Sequence, residues 1–293
     1  MRLICVGDAM IDVVVKYQGE IQFNSDTPSI ISIRRGGAAA NTSVWAARLG
    51  INSVFVGRVG DDATGKSFTS ELKNNSVRFE DIETKGSSTG TVVVLVDESG
   101  ERTMFPSRGA NSHLTISDFP DIEFDALYLS GYSLFDKESS DSALMILEKV
   151  KRLNKLIFLD PASTGLMRGY DRERLLKDID GVDFLLLNEE EAQFLSQRDS
   201  IEEMLDFLLR YSFCTVIKRG RNGASAKIRN GSITSVNARS VEVVDTTGAG
   251  DAFAAGFIAG WLTSGEIENA LQSGCKVAAE CVANIGARPS VIA

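Results

Sequence analysis

The 293-residue sequence holds one histidine, His113. That excludes a multi-histidine metal site and leaves a single chance at a histidine-based triad. Its four cysteines (Cys5, Cys214, Cys275 and Cys281) are scattered, with no C-x-x-C spacing. They read as buried, reduced thiols rather than as a zinc cluster or redox dithiol. Only five prolines occur, and no low-complexity linker divides the chain. No apolar run approaches the ~18 residues of a membrane span. Basic residues are outnumbered 31 to 40, for a net charge of −9. An acidic chain repels phosphodiester backbones, which disfavours nucleic acid as a partner. A small anion could still bind where backbone dipoles hold it. The opening MRLICVGDAMID carries acids too early for a secretory signal, so a cytoplasmic location is expected.

What the sequence does contain is a strand-then-helix rhythm. LICVG, SVFVGRVG, DALYLSGY, KLIFLD, DFLLLN and CTVIKRG read as strands. Residues 41–49, 139–153, 172–177, 201–211, 252–262 and 266–283 read as helices. Strands that are apolar throughout belong to a parallel sheet covered by helices on both faces. DVVVKY, ISIRR and the hairpin TVVVLVDESGERTMF make a second, small β layer over roughly residues 11–35 and 88–108. GASAKIRNGSITSV is a local hairpin turning at Asn230-Gly231. The expectation is one α/β unit over residues 1–293 with that layer as an appendage.

Gly60-Asp61-Asp62-Ala63-Thr64-Gly65-Lys66-Ser67 matches G-x-x-x-x-G-K-[ST] in full. A phosphate loop needs inward N–H groups and no competing anion, yet Asp61 and Asp62 lie inside this one. Turn chemistry before a helix explains the stretch as well. The stronger signal is Val243-Val244-Asp245-Thr246-Thr247-Gly248-Ala249-Gly250-Asp251. It reads as a strand running into a Gly-Ala-Gly turn and then a helix. Backbone amides and a helix N-terminus make an anion hole that needs no basic surface. Asp251 beside it is either a base for a hydroxyl attacking a phosphoryl group or a helix-start acid favouring the dipole.

DTTGAGDAFAAGF, together with GGAAANTSVWAARLG and FVGRVGDDATGKS, resembles the two signatures of the ribokinase-like (PfkB) carbohydrate kinases, and the likeness covers essentially the whole chain. It implies a three-layer α/β/α domain with a mostly parallel central sheet and a small β-sheet lid. It implies an ATP- and Mg²⁺-dependent kinase acting on a primary hydroxyl of a sugar or sugar acid. By position, Asp251 matches the base, and Gly248, Ala249 and Gly250 the anion hole. Asp12, Gly36, Gly37 and Asn41 match sugar-binding positions. Asn188 and Glu191 match the N-x-x-E element that organises phosphate, water and Mg²⁺. Lys218, Gly220 and Gly223 lie where the family wraps ATP, with Lys-Arg-Gly replacing Thr-Leu-Gly. Cys275 falls near the adenine contact or is a core thiol. Asp245, Thr247, Gly286 and Ser290 match a monovalent-cation (K⁺) site, though Asp245 could equally be a turn residue.

Two family features are missing: Ala38 stands for a lysine, and Ser130-Gly131-Tyr132 lacks a glutamate. The Ser-Gly is similar to fructokinase and ketodeoxygluconate kinase relatives. Arg108-Gly109-Ala110-Asn111 is similar to some nucleoside kinases, and Arg108 either meets a substrate anion or sits on the surface. The competing expectations are a nucleoside acceptor, or a P-loop-like or inactive sugar-binding protein. The exposed lid face also suits a homodimer.

Overall fold

A computed structural model of the chain describes residues 1–79 and 83–289. Along the chain run β1 (Arg2–Val6), β2 (Met10–Tyr17), β3 (Ser29–Gly36), α1 (Ala38–Arg48), β4 (Asn52–Val56), β5 (Val59–Gly60), α2 (Ala63–Asn74), β6 (Arg78–Phe79), β7 (Glu83–Thr84), β8 (Gly90–Val96) and β9 (Arg102–Ser107). Then come β10 (Ala126–Ser130), α3 (Tyr132–Phe135), α4 (Ser140–Arg152), β11 (Leu156–Asp160), α5 (Thr164–Met167), α6 (Arg172–Asp178), β12 (Val182–Asn188), α7 (Glu189–Ser196), α8 (Ile201–Leu208), β13 (Ser212–Lys218), β14 (Ala224–Ile228), β15 (Ile233–Val236), α9 (Ala249–Ser264) and α10 (Ile267–Val282).

The large sheet has the order β15-β14-β13-β12-β11-β10-β1-β4-β6. It is parallel from β13 to β6 and antiparallel only at β13-β14 and β14-β15. One face packs on α1, α2, α9 and α10, and the other on α4, α6, α7 and α8. This is the expected three-layer arrangement. The continuous apolar runs are explained by it, since residues 3–6 and 126–130 are buried on both faces. Phe158 and Phe184 stack with centroids 4.4 Å apart, and Phe257 of α9 meets Phe184 edge-on at 5.8 Å. Each such ring contributes roughly 1.5–3 kcal/mol through burial. The small residues of α9 let α10 approach closely: a Cβ on Gly256 would lie 2.7 Å from the Ser273 carbonyl oxygen.

A four-stranded sheet of order β3-β2-β8-β9 lies apart from the large one. Two expectations need correction. SVFVGRVG is two strands, because β5 leaves the large sheet to pair with β7. Val243-Val244 is no strand: both side chains are exposed, and the Val244 N–H bonds the Val282 carbonyl at 2.8 Å. The segment before α9 is thus a loop tied to the end of α10. No helix among the described residues is long and apolar enough to cross a membrane.

Candidate active site

An open α/β sheet gathers ligands at the carboxyl ends of its strands, where loops escape the ladder and helix N-termini point inward. Here β11, β12 and β13 end in Asp160, Asn188 and Lys218 on three adjacent strands. Gly248 opens α9 at φ 75°, and a Cβ there would lie 2.5 Å from that of Ala287. Only glycine fits. The first-turn amides that follow, at Ala249 and Gly250, belong to a helix start with partial positive charge.

Asp251 sits in that first turn. Its Oδ2 accepts a hydrogen bond from Asn41 Nδ2 at 2.8 Å. Burial pushes its pKa up to about 7; the Asn41 bond opposes the rise, as does Lys218, while Asp160 adds to it. A carboxylate so poised can take a proton from a neutral hydroxyl near pH 7. Asn41 comes from the first turn of α1, whose start is Gly37 at φ 92°. A Cβ on Gly37 would strike the Asp8 carbonyl at 2.1 Å, and one on Gly36 would strike Asp12 Oδ1 at 2.4 Å. Both glycines therefore make room for the acids beside them. Burial raises the Asp12 pKa to about 6, with Arg288 and Arg34 pulling it down.

Lys218 Nζ pairs with Asp160 Oδ2 at 2.5 Å. Burial alone would lower its pKa, but Asp160 and Glu191 outweigh that and raise it. A Cβ on Gly250 would lie 3.5 Å from this ammonium, so Lys218 reaches the start of α9. Asn188 and Glu191 form a reciprocal capping box on α7, each bond 2.8 Å long. Glu189 and Glu190 are exposed whereas Glu191 is buried, and burial lifts the Glu191 pKa to about 7. Gly220 lies in open space; Gly223 is required by the fold, since its Cβ would be 1.9 Å from the Val236 carbonyl oxygen. Cys275 is buried in the core cluster on α10, near Arg239.

Arg108 is no free surface residue: it forks onto both oxygens of Asp8 and also pairs with Asp136 at 3.0 Å. Asp245 accepts from the Thr247 N–H and hydroxyl, the Gly286 N–H, and the guanidiniums of Arg34 and Arg102. Ser290 lies outside the described residues. The Walker-like loop holds no phosphate cradle. Asp62 caps α2, and its carboxylate takes the N–H groups of Gly65 and Thr89 at 2.7 and 2.8 Å.

Sequence reasoning missed Arg288. Its guanidinium donates to Asn41 Oδ1 at 2.8 Å, to Glu71 Oε2 at 2.8 Å and to the Gly36 carbonyl at 2.9 Å. It also lies over the Phe68 ring, 4.9 Å from the centroid. The only hint in the sequence is an arginine in an otherwise small-residue loop, Gly286-Ala287-Arg288-Pro289.

Known proteins resemble the chain in sequence and in fold. The chain is 33% identical over 273 residues to a fructokinase of Klebsiella pneumoniae, covering 90% of this chain and 85% of the other. The structure of fructokinase from Vibrio cholerae O395 with fructose, ADP and calcium ion bound is similar at TM-score 0.80 and 26% identity, over 99% of this chain and 95% of that one. Adenosine kinase from Sinorhizobium meliloti is similar at TM-score 0.87 and 25% identity, over 98% and 95%. The description "pfkB family carbohydrate kinase" matches residues 1–293. With its ribokinase-like fold and two signatures, the chain belongs to the pfkB family and is an ATP-dependent carbohydrate kinase.

Proposed function

We propose that the acceptor is a primary hydroxyl of a sugar or sugar acid held by Asp12 and Asn41, and that Asp251 deprotonates it as it attacks the γ-phosphorus of ATP. The observation that carries this reading is the Asp251–Asn41 contact of 2.8 Å at the first turn of α9. It joins a base of pKa about 7 to a sugar-binding amide, beside amides suited to an anion. Lys218 faces the transferred phosphoryl group from the other side. Asn188, Gly220 and Gly223 shape the ATP site, and Cys275 backs the adenine.

Mg²⁺ fits the acidic residues here. Glu191 commits Oε2 to the Asn188 N–H, and Asp160 stands close enough to raise its pKa. Mg²⁺ keeps most of its waters and needs few carboxylates, so Glu191 would hold it through water, while Asp160 stays paired with Lys218. Bound there, the ion would neutralise charge on the ATP phosphates.

The β2-β3-β8-β9 sheet serves as a lid that excludes water during transfer. Its outer row runs Ile33-Val13-Val93-Phe105 across the four strands, with Ile33 and Phe105 69% and 56% exposed. That row supports a homodimer through the lid, for which light scattering gives the test. Four buried free thiols support a cytoplasmic location. A coupled assay of ADP release over a panel of sugars, sugar acids and nucleosides tests the whole reading. Phosphorylation of a hexose or sugar acid supports it; turnover confined to nucleosides replaces the acceptor; no product from any acceptor overturns it.

A further inference from the structure

The monovalent-cation site expected from the sequence does not fit those of its residues that the structure describes, Asp245, Thr247 and Gly286. A carboxylate offers about four lone-pair sites. Asp245 already accepts from five donors: on Oδ1 the Thr247 N–H (3.0 Å), the Thr247 hydroxyl (2.7 Å) and Arg102 (2.9 Å), and on Oδ2 Arg34 (3.1 Å) and the Gly286 N–H (3.0 Å). Arg102 also donates to the Thr247 hydroxyl at 2.8 Å. A further oxygen of the loop, the Ala287 carbonyl, is taken by the Trp45 indole N–H at 2.9 Å. A K⁺ ion would have to displace these donors to gain ligands.

The two guanidiniums come from the lid. Arg34 is on β3 and Arg102 on β9, the outermost strands of the small sheet. Register puts both on the face that carries Asp12, since Asp12 pairs with Arg34, and Lys16, two pleats on, stands in the row ending at Arg102. Strand spacing of about 4.8 Å sets the two edges roughly 14 Å apart, so the sheet must curl over the cleft for both arms to meet one carboxylate. Both arginines are only partly shielded, at 30% and 31% exposure, while Asp245 is 12% exposed.

We infer that Arg34 and Arg102 take the place of the monovalent cation, delivering positive charge to the Asp245–Thr247 loop only when the lid is down. Lid closure and ordering of the Gly248-Ala249-Gly250 turn are then one event. With the lid up, Asp245 loses two donors, and the turn that follows it is released. ATP bound without acceptor meets an unformed anion hole, which protects it from transfer to water. This rests on the kinase reading above.

The test has two parts with separate readouts. First, the melting temperature of the intact protein is followed in KCl against tetramethylammonium chloride at about 0.1 M each, matched in ionic strength. Wild type should show no K⁺-specific rise, and Arg34→Gln/Arg102→Gln, with Asp245 freed, should show one. A K⁺-specific rise in wild type overturns the inference, with or without a known acceptor. Second, turnover of the acceptor found in the panel is measured in the same salts. Wild type should vary less than about two-fold, and the double variant should lose about ten-fold or more in kcat, partly restored by K⁺. Strong K⁺ activation of wild type, or a loss that K⁺ leaves untouched, overturns it. If the double variant does not fold, Arg102→Gln replaces it. Absence of turnover in every salt counts against the kinase reading alone, and the melting series still judges the cation.

Discussion

Asn41 stands between Arg288 and Asp251, its Oδ1 accepting from the guanidinium and its Nδ2 donating to the carboxylate, both at 2.8 Å. The order cannot reverse. Arginine has only donors and an ionised carboxylate only acceptors, so the amide has one orientation that satisfies both. Glu71 anchors the other end at 2.8 Å. A line from Glu71 through Arg288 and Asn41 thus fixes the Asp251 carboxyl, the proposed base.

Asp251→Asn should lower kcat by about 10²–10⁴-fold, the usual contribution of a positioned general base, while KM changes little. Steady-state kinetics with the identified acceptor checks this. Near-normal turnover would remove Asp251 from the chemistry.

Arg288→Lys should keep the charge beside Glu71 but lose the fork that orients Asn41. We expect kcat to fall about ten-fold with the fold intact. Arg288→Ala should in addition cost about 3 kcal/mol in urea unfolding, because Glu71 loses a partly buried partner.

The acid limb of kcat/KM should follow Asp251. Its pKa of about 7 means activity rises with pH through neutrality, as the carboxyl ionises. Lys218 lowers that pKa. Lys218→Met should therefore shift the limb to higher pH as well as reduce kcat, and a pH–rate profile of both proteins would show it. A limb that stays put would count against contact between the two groups.

Stability of the ligand-free protein should fall as pH rises from about 5 to 8. Asp12, Glu191 and Asp251 all have folded pKa values, about 6, 7 and 7, above the unfolded carboxylate range. In that window the folded chain binds more protons than the unfolded one, so raising pH favours unfolding. Asp62 and Asp245, held low by hydrogen bonds, are ionised in both states there and contribute no slope. Thermal melts across the range check the sign.

Lys66→Ala should leave nucleotide binding unchanged, by isothermal titration with ADP. Lys66 is exposed, and the amides around it already bind Asp62. Loss of binding would restore the phosphate-loop reading.

Much of this was legible beforehand. Asn41 and Asp251 lie far apart in sequence yet bond, with Asp12 near enough to raise the Asp251 pKa, and turn glycines such as Gly37 and Gly248 announce themselves because no other residue tolerates their backbone. The strands of the parallel sheet were visible as apolar runs. Val243-Val244 misled for the same reason: β-branched residues look alike whether they pair or merely extend. What sequence could not reveal was charge pairing across long separations. Arg288 meets Asn41 from 247 positions away, and Arg102 meets Asp245 from 143. An arginine carries no pattern that names its partner.

The placement of Arg288 has a bearing on how the enzyme comes into being. During synthesis every strand and helix of the described residues, α10 included, leaves the ribosome before Arg288 does. Domains begin to fold as they emerge. A nascent chain can therefore complete its sheets and core while Asn41 still lacks its anchor, and the proposed base is set only once the segment after α10 has threaded back to the first helix. The folded scaffold would precede the competent catalyst.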